Sequence, residues 1–263
     1  MYPPTIQQLL TSAIANRNRY SLTLGTHTAH DGDDLKWVYT GTPVLNTIFA
    51  PQLAADRAEA TVKDAIDQFR QRGVTPAIIL SPLSQPTDLG DRLQKWGYVK
   101  AFDFQGMYLD LSQLNASTMP PTGFELREIT TPAALALWAD TCCKGFEIPA
   151  DLHEVFDRIM IQSATLDPEN APYRHYLGFS ESKPVSTICT IPSDGVLGVY
   201  WVATTPEARR KGIAAATMTA VLEQAREEGH THATLQSTDI GHNFYKHLGF
   251  QDLYLESVYE WRP

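Results

Sequence analysis

The sequence predicts an α/β chain in the α+β sense, built as two units of the same kind in tandem. Three observations carry that expectation. Short apolar runs with strand character alternate with amphipathic helical segments through both halves. An internal repeat is present: AIDQFRQRGVTPAIILSP, from Ala65, parallels VLEQAREEGHTHATLQST, from Val221, with Gly73 opposite Gly229. Further on, LQKWGYV parallels YKHLGFQ, with Gly97 opposite Gly249, after a four-residue insertion in the Pro-containing loop of the first copy. Finally, NASTMPPTG between Asn115 and Gly123 is rich in small, polar and proline residues, as a linker is. The expected division is a first domain at 1–114, a linker at 115–122 and a second domain at 123–263.

In chain order, Ile6 to Ile14 has one apolar face and predicts a helix. Ser21 to Gly25, Lys36 to Tyr39 and Val44 to Ile48 predict short strands around the acidic turn Asp31-Gly32-Asp33-Asp34. Ala54 to Arg72 carries Ala58, Val62, Ile66 and Phe69 at helical spacing and stops at Gly73. Ala77 to Leu80 is a buried strand, Leu89 to Trp96 a helix, and Tyr98 to Leu111 one or two strands. In the second half, Phe124 to Ile129 is a strand, and Pro132 to Cys143 and Ala150 to Ala164 are helices. Tyr173 to Ser180 and Pro184 to Thr190 predict paired strands joined at Glu181-Ser182-Lys183. Strands at Val199 to Thr204, His232 to Ser237 and Leu253 to Trp261 follow, with a helix from Ile213 to about Glu228.

With 43% hydrophobic residues in 263, the chain can bury a proper core. The balance of 21 basic against 30 acidic residues, net −9, with no lysine-rich run, argues against nucleic acid as a partner. Cys142, Cys143 and Cys189 suggest no disulfide framework. The N-terminus lacks the pattern of a signal peptide, and no run approaches a membrane span, so the expectation is a cytoplasmic protein without a membrane partner.

The most informative stretch runs from Val199 to Thr204, through Thr205-Pro206-Glu207, to the cations Arg209, Arg210 and Lys211, then Gly212 and the Ile213 helix. Strand, basic glycine turn and helix in that order form a phosphate cradle. A helix N-terminus offers unpaired N–H groups and partial positive charge, and a glycine lets an anion approach the backbone. The spacing Arg209-x-x-Gly212-x-Ala214 resembles the Q/R-x-x-G-x-G/A signature of the GNAT superfamily of N-acetyltransferases. Tyr245-Lys246-His247-Leu248-Gly249-Phe250 resembles the Y-x-x-x-G-F ending of the same family. The resemblance covers 123–263 directly and 1–114 only through the repeat.

That resemblance implies two tandem GNAT-like domains, each a mixed, mostly antiparallel sheet flanked by helices. It implies acetyl-CoA as co-substrate, lying where two neighbouring strands diverge. The family places the pantetheine against the backbone of Val202, Ala203 and Thr204, and the pyrophosphate on Arg209, Arg210, Lys211, Gly212, Ile213, Ala214 and Ala215. Thr238 stands where family members often carry Asn, seven residues before the tyrosine. No metal is implied. The first copy has Leu53, Asp56 and Ala58 opposite Arg209, Gly212 and Ala214, and Leu93 opposite Tyr245. An aspartate at a helix N-terminus repels phosphate, so this copy is expected to be silent and to shape the cleft or stabilise its neighbour.

Acyl transfer to an amine requires a held thioester, a neutral amine and a proton for the leaving thiolate. Tyr245, with an ordinary pKa of about 10, is the candidate general acid. No base is named. The strand His232 to Ser237 has no carboxylate; Glu147, Asp151, His153, Glu154, His175 and His242 are each as compatible with a structural place, and deprotonation through water is an alternative. Tyr200 and Trp201, with Phe146, Tyr173 and Tyr176, line a pocket or belong to the core. Trp201 and Val202 should face opposite sides of their strand. The expected activity is N-acetylation of a primary amine on a small molecule or peptide, by direct attack in a ternary complex. The alternatives are another acyl-CoA donor, or a CoA-binding scaffold without turnover.

Overall fold

The computed structural model describes residues 4–25, 27–115, 119–165 and 173–262, without the side chains of 164 and 165. The chain opens with α1 (Ile6–Thr23), which starts at a capping box where the Thr5 and Gln8 side chains each accept the other residue's backbone N–H. The helix outruns the expected end at Ile14 and absorbs most of the strand expected from Ser21. Asn16, Tyr20 and Ser21 are buried, and Arg17 donates to the Ser21 hydroxyl one turn on (2.7 Å). Polar residues that resemble a loop in sequence are here the packing face of a helix.

Next come β1 (Thr28–Asp31), β2 (Lys36–Tyr39) and β3 (Thr47–Phe49), paired antiparallel. β3 begins later than the expected Val44 because Asn46 and Thr40 fold residues 40 to 46 into a turn. Asn46 accepts from the Thr40 N–H and donates to the Thr42 carbonyl, and the Thr40 hydroxyl donates to the Val44 carbonyl. The first half closes with α2 (Ala58–Arg70), β4 (Ala77–Leu80), α3 (Leu89–Lys95) and β5 (Tyr98–Asp110). The second holds β6 (Phe124–Ile129), α4 (Pro132–Gly145), a 3-10 turn at Ala150–Leu152, α5 (His153–Thr165), β7 (Arg174–Ser180), β8 (Lys183–Ser193) and β9 (Val196–Thr204). It ends with α6 (Ile213–Glu227), β10 (His232–Ser237), α7 (Asp239–His247) and β11 (Gln251–Trp261). In the register of the sequence repeat, α6, β10, α7 and β11 fall on α2, β4, α3 and β5. The repeat is one of structure.

The two expected sheets are joined edge to edge as a single sheet of 11 strands, ordered β1-β2-β3-β4-β11-β5-β10-β9-β8-β7-β6. Among the described strands, only β3/β4 and β9/β10 are parallel pairs. The last strands of the halves are exchanged: β11 lies between β4 and β5, and β5 between β11 and β10. A cut within 115–122 therefore leaves Gln251–Trp261 hydrogen-bonded along β5 of the first half. Of that linker, residues 116–118 lie outside the described residues.

One core packs α6 and α7 against β5, β7, β8, β9 and β10, around Met107, Leu197, Met218, Leu222 and Leu235. A second packs α1, α4 and α5 on β7, β8 and β9, around Trp138, Ile159 and Leu177. A third, around Phe69, Ile78, Leu93 and Tyr98, belongs to α2 and α3. α1 also fastens the halves together through polar contacts. The Asn16 amide donates to the Ile191 carbonyl (3.0 Å) and accepts from the Tyr200 hydroxyl (2.6 Å), while Tyr20 stacks on Tyr200 at 3.8 Å. Gly198 leaves the room this needs, since a Cβ there would sit 2.0 Å from Asn16 Oδ1. Arg17 pairs with Glu256 of β11 at 3.2 Å, both largely buried. Burial pushes the Glu256 carboxyl above its ordinary range, and Arg17 opposes that shift.

Candidate active site

The site is built where β9 and β10 part. These parallel strands pair at Leu197↔Ala233 and Gly198↔Thr234, after which β9 runs on to Thr204 with no strand beside it on that edge among the described residues. The cause is a bulge in β9. Between Thr187↔Ala203 and Cys189↔Tyr200, β9 has two residues, Trp201 and Val202, against one of β8, Ile188, and Trp201 takes φ 53°. Its carbonyl accepts from the Thr187 hydroxyl (2.8 Å), which fixes the distortion. The bulge puts consecutive Tyr200 and Trp201 on the α1/α4/α5 core, while Val199 and Val202 pack on the α6/α7 core. Trp201 and Val202 do face opposite sides, as expected, but the strict alternation breaks one residue earlier.

Val202, Ala203 and Thr204 thus lie on the splayed length of β9. Ala203 and Thr204 pair with Thr187 and Ser186 of β8, leaving their other edge to the cleft. A single 3-10 turn, Pro206–Ala208, then leads to the loop. Arg210 has φ 59° and Gly212 has φ 76°, two left-handed residues that curl the backbone before α6. Glycine is at ease there, and a Cβ on Gly212 would meet only Pro121 Cγ, at 3.6 Å. The first bond into α6 comes from Ala216 to the Gly212 carbonyl (3.0 Å), and Gly212 supplies no side-chain cap. The N–H groups of Arg210, Lys211, Gly212, Ile213, Ala214 and Ala215 have no acceptor among the described residues. The first turn of α6 contains no acidic residue, and Arg210 and Lys211 are exposed beside it. Such a run of open donors at a helix N-terminus suits a diphosphate.

Arg209, at the head of the loop, has its guanidinium on protein partners instead. It reaches the Glu147 carboxylate, the Gly145 carbonyl and the Thr204 carbonyl. Thr238 is the exposed N-cap residue of α7, without a side-chain capping bond.

Tyr245 sits on α7 and packs, half-buried, against the same core as Val202, with its ring near Phe244 (5.1 Å) and Phe250 (5.9 Å). Gly241, one turn back, makes room: a Cβ there would lie 3.0 Å from Tyr245 Cε2. The phenol has no hydrogen-bond partner among the described residues, and burial pushes its pKa up, so it holds its proton at neutral pH.

The residues considered as bases have structural places. Glu147 is paired with Arg209 (2.7 Å), and His153 Nε2 lies 2.7 Å from the Ile148 carbonyl. His242 is 2.7 Å from Asp252 at the surface. His175 is buried against Trp138, and burial lowers its pKa to about 4, so it is neutral and closed off. Asp151 and Glu154 are exposed. Of the aromatic residues, Tyr176 and Tyr200 are core. Tyr173 packs half-buried on the same core as Tyr200, with its ring stacked on His175 at 5.7 Å. Phe146 is 45% exposed and meets Trp201 edge to face at 5.8 Å, so this pair forms an accessible wall beside the bulge. Sequence reasoning passed over Asn16, Arg17, Tyr20 and Glu256. Their partners lie far along the chain, and no local spacing marks them.

Among the described residues no group of His, Cys, Asp and Glu is placed to hold a metal, and no helix is long and apolar enough to cross a membrane. The three cysteines are free and buried.

Residues 135–250 match the model of the acetyltransferase (GNAT) family. The sequence matches no curated protein significantly. Among solved structures, a GCN5-related N-acetyltransferase from Kribbella flavida superposes with TM-score 0.72 at 17% identity, over 94% of both chains. A tandem GNAT protein from the clavulanic acid biosynthesis pathway gives 0.65 at 14% identity, over 97% of this chain and 94% of its own. A GCN5-related N-acetyltransferase from Sphaerobacter thermophilus gives 0.63 at 16%, over 86% and 76%. At these identities the likeness is one of fold.

Proposed function

We propose that the chain, whose residues 135–250 match the GNAT acetyltransferase family model, transfers an acetyl group from acetyl-CoA to a primary amine of a small molecule or peptide. The observation that carries this reading is the open cleft between β9 and β10, which ends at the N–H groups of 210–215, without an acceptor among the described residues. Acetyl-CoA, when bound, supplies the thioester. Val202, Ala203 and Thr204 offer a strand edge for its amides. Arg210, Lys211, Gly212, Ile213, Ala214 and Ala215 offer donors and positive charge to its pyrophosphate, with Arg209 and Thr238 at the two ends of this set. Tyr245, kept protonated by burial, is the proton source for the departing thiolate. The Phe146–Trp201 wall flanks the acceptor, which attacks directly in a ternary complex. The sequence units 1–114 and 123–263 serve as a silent half and a cofactor-binding half.

Calorimetric titration of acetyl-CoA, with longer acyl-CoA donors beside it and Gly212→Glu as control, tests the proposal. One site, lost in the control, supports it and licenses a screen of amines. Saturation only by a longer donor changes the acyl group, and no binding at all sinks the reading.

A further inference from the structure

Arg209 begins the phosphate-loop pattern, yet its side chain ends on α4. Nε donates to the Thr204 carbonyl (3.2 Å), Nη2 to the Gly145 carbonyl (2.8 Å) and Nη1 to the Glu147 carboxylate (2.7 Å). One planar fork thus joins the end of β9 to the last turn of α4 and the residue beyond it. The contact is close-fitting in a second, independent way. Gly145 lies so near β9 that a Cβ there would sit 2.7 Å from Ala203 Cβ and 3.2 Å from the Thr204 nitrogen. Glu147 holds φ 53°, an unfavourable backbone for a glutamate, with its N–H on the Lys144 carbonyl and the next N–H on the Cys143 carbonyl. Between Gly145 and Glu147 stands Phe146, whose ring meets Trp201, the bulge residue that parts β9 from β10. Loop, strand end, α4 turn and aromatic wall form one closed ring of contacts.

We propose that Arg209 is a positioning residue: its guanidinium clamps the phosphate loop to the 145–147 turn, so that filling the loop fixes the Phe146–Trp201 wall on the acceptor side. The inference rests on the acyl-CoA reading given above. The alternative for this arginine is a direct charge contact with the cofactor. Charge does not distinguish the two roles, but geometry does. A lysine keeps the charge and loses the fork, and Glu147→Gln removes the partner's charge without touching the loop. The Arg209–Glu147 pair is exposed, so it adds little to global stability and both variants should remain folded.

The experiment is hydrogen–deuterium exchange on the intact chain, with and without acetyl-CoA, for wild type, Arg209→Lys and Glu147→Gln. Without ligand, the clamp predicts exchange at 144–148 faster by roughly threefold or more in both variants, at unchanged melting temperature. With acetyl-CoA, all three proteins should gain protection at 210–216, and only the wild type should gain it at 144–148. Unchanged exchange at 144–148 in both unliganded variants overturns the clamp. So does an affinity for acetyl-CoA lowered about tenfold or more in Arg209→Lys alone, which would make the guanidinium a direct ligand. A wild type that shows no response at 210–216 sinks the donor reading and the coupling with it. The unliganded arm still decides whether the clamp exists.

Discussion

The two halves present the same cleft in two conditions. In both, a pair of parallel strands is joined by only two paired positions, Thr47↔Ala77 and Ile48↔Ile78 in the first, Leu197↔Ala233 and Gly198↔Thr234 in the second. Beyond those positions they differ. In the first half the chain bridges its own gap. Gln52 and Gln85 form a parallel bridge, the Gln85 N–H donates to the Pro51 carbonyl (2.8 Å), and the Leu53 N–H donates to the Gln85 carbonyl (3.1 Å). Of these residues Gln85 lies in the Pro-containing loop where the sequence repeat carries its four extra residues, and Pro51 to Leu53 lie between β3 and α2. In the second half a bulge at Trp201 holds the strands apart, and no backbone bond among the described residues closes them. The helix ends follow suit: α2 starts with Asp56 ahead of it and Glu59 in its first turn, whereas the first turn of α6 has no acid. A strand edge can bind a ligand's amides only if the chain has not already satisfied it. The first cleft is thus closed by hydrogen bonds as well as by charge.

If the chemistry belongs to the second cleft alone, Tyr245→Phe should lower kcat by roughly a hundredfold or more, with acetyl-CoA affinity within about threefold of wild type. Equal rates in a steady-state assay would remove Tyr245 from the mechanism. The joint between the halves should also be costly to part. Arg17→Met leaves Glu256 buried without its partner, and urea unfolding should show a loss of about 3–5 kcal/mol, partly restored when Glu256→Met is added. No restoration would mean that the arginine acts through packing.

A pH effect should mark the second half. His175 has a folded pKa lowered by burial to about 4, below an ordinary value near 6.5. The folded state then binds fewer protons than the unfolded one between these values. The stability is fully present above pH 6.5 and is lost as pH falls toward 4, by about 3 kcal/mol in total. Thermal melts across that window should show the slope in wild type and a shallower one in His175→Gln. The smallest effect sharpens the comparison most. Asp56→Gly should create no second acetyl-CoA site, because the Gln52–Gln85 bridge remains; a calorimetric stoichiometry of two would show that charge alone kept the first cleft silent.

Much of this was legible from residue order. The repeat, the strand limits of Phe124–Ile129 and His232–Ser237, and the loop from Arg209 to Ala215 depend on short-range patterns: period, glycine at a left-handed turn, and cations before a helix. Local sterics and local hydrogen bonding decide those features, so the sequence by itself determined them. Asp56 ahead of α2 is legible there too, and it is the ground for expecting the first copy to be silent. Only the tertiary structure decided the exchange of β5 and β11, the length of α1, the bulge at Trp201 and the engagement of Arg209 with Glu147. Each depends on a partner brought in from elsewhere in the chain: Arg17 meets Glu256, Asn16 meets Ile191, and Arg209 meets Gly145. Burial and pairing between distant segments carry no spacing signal, because their energy depends on which surfaces meet once the chain has folded.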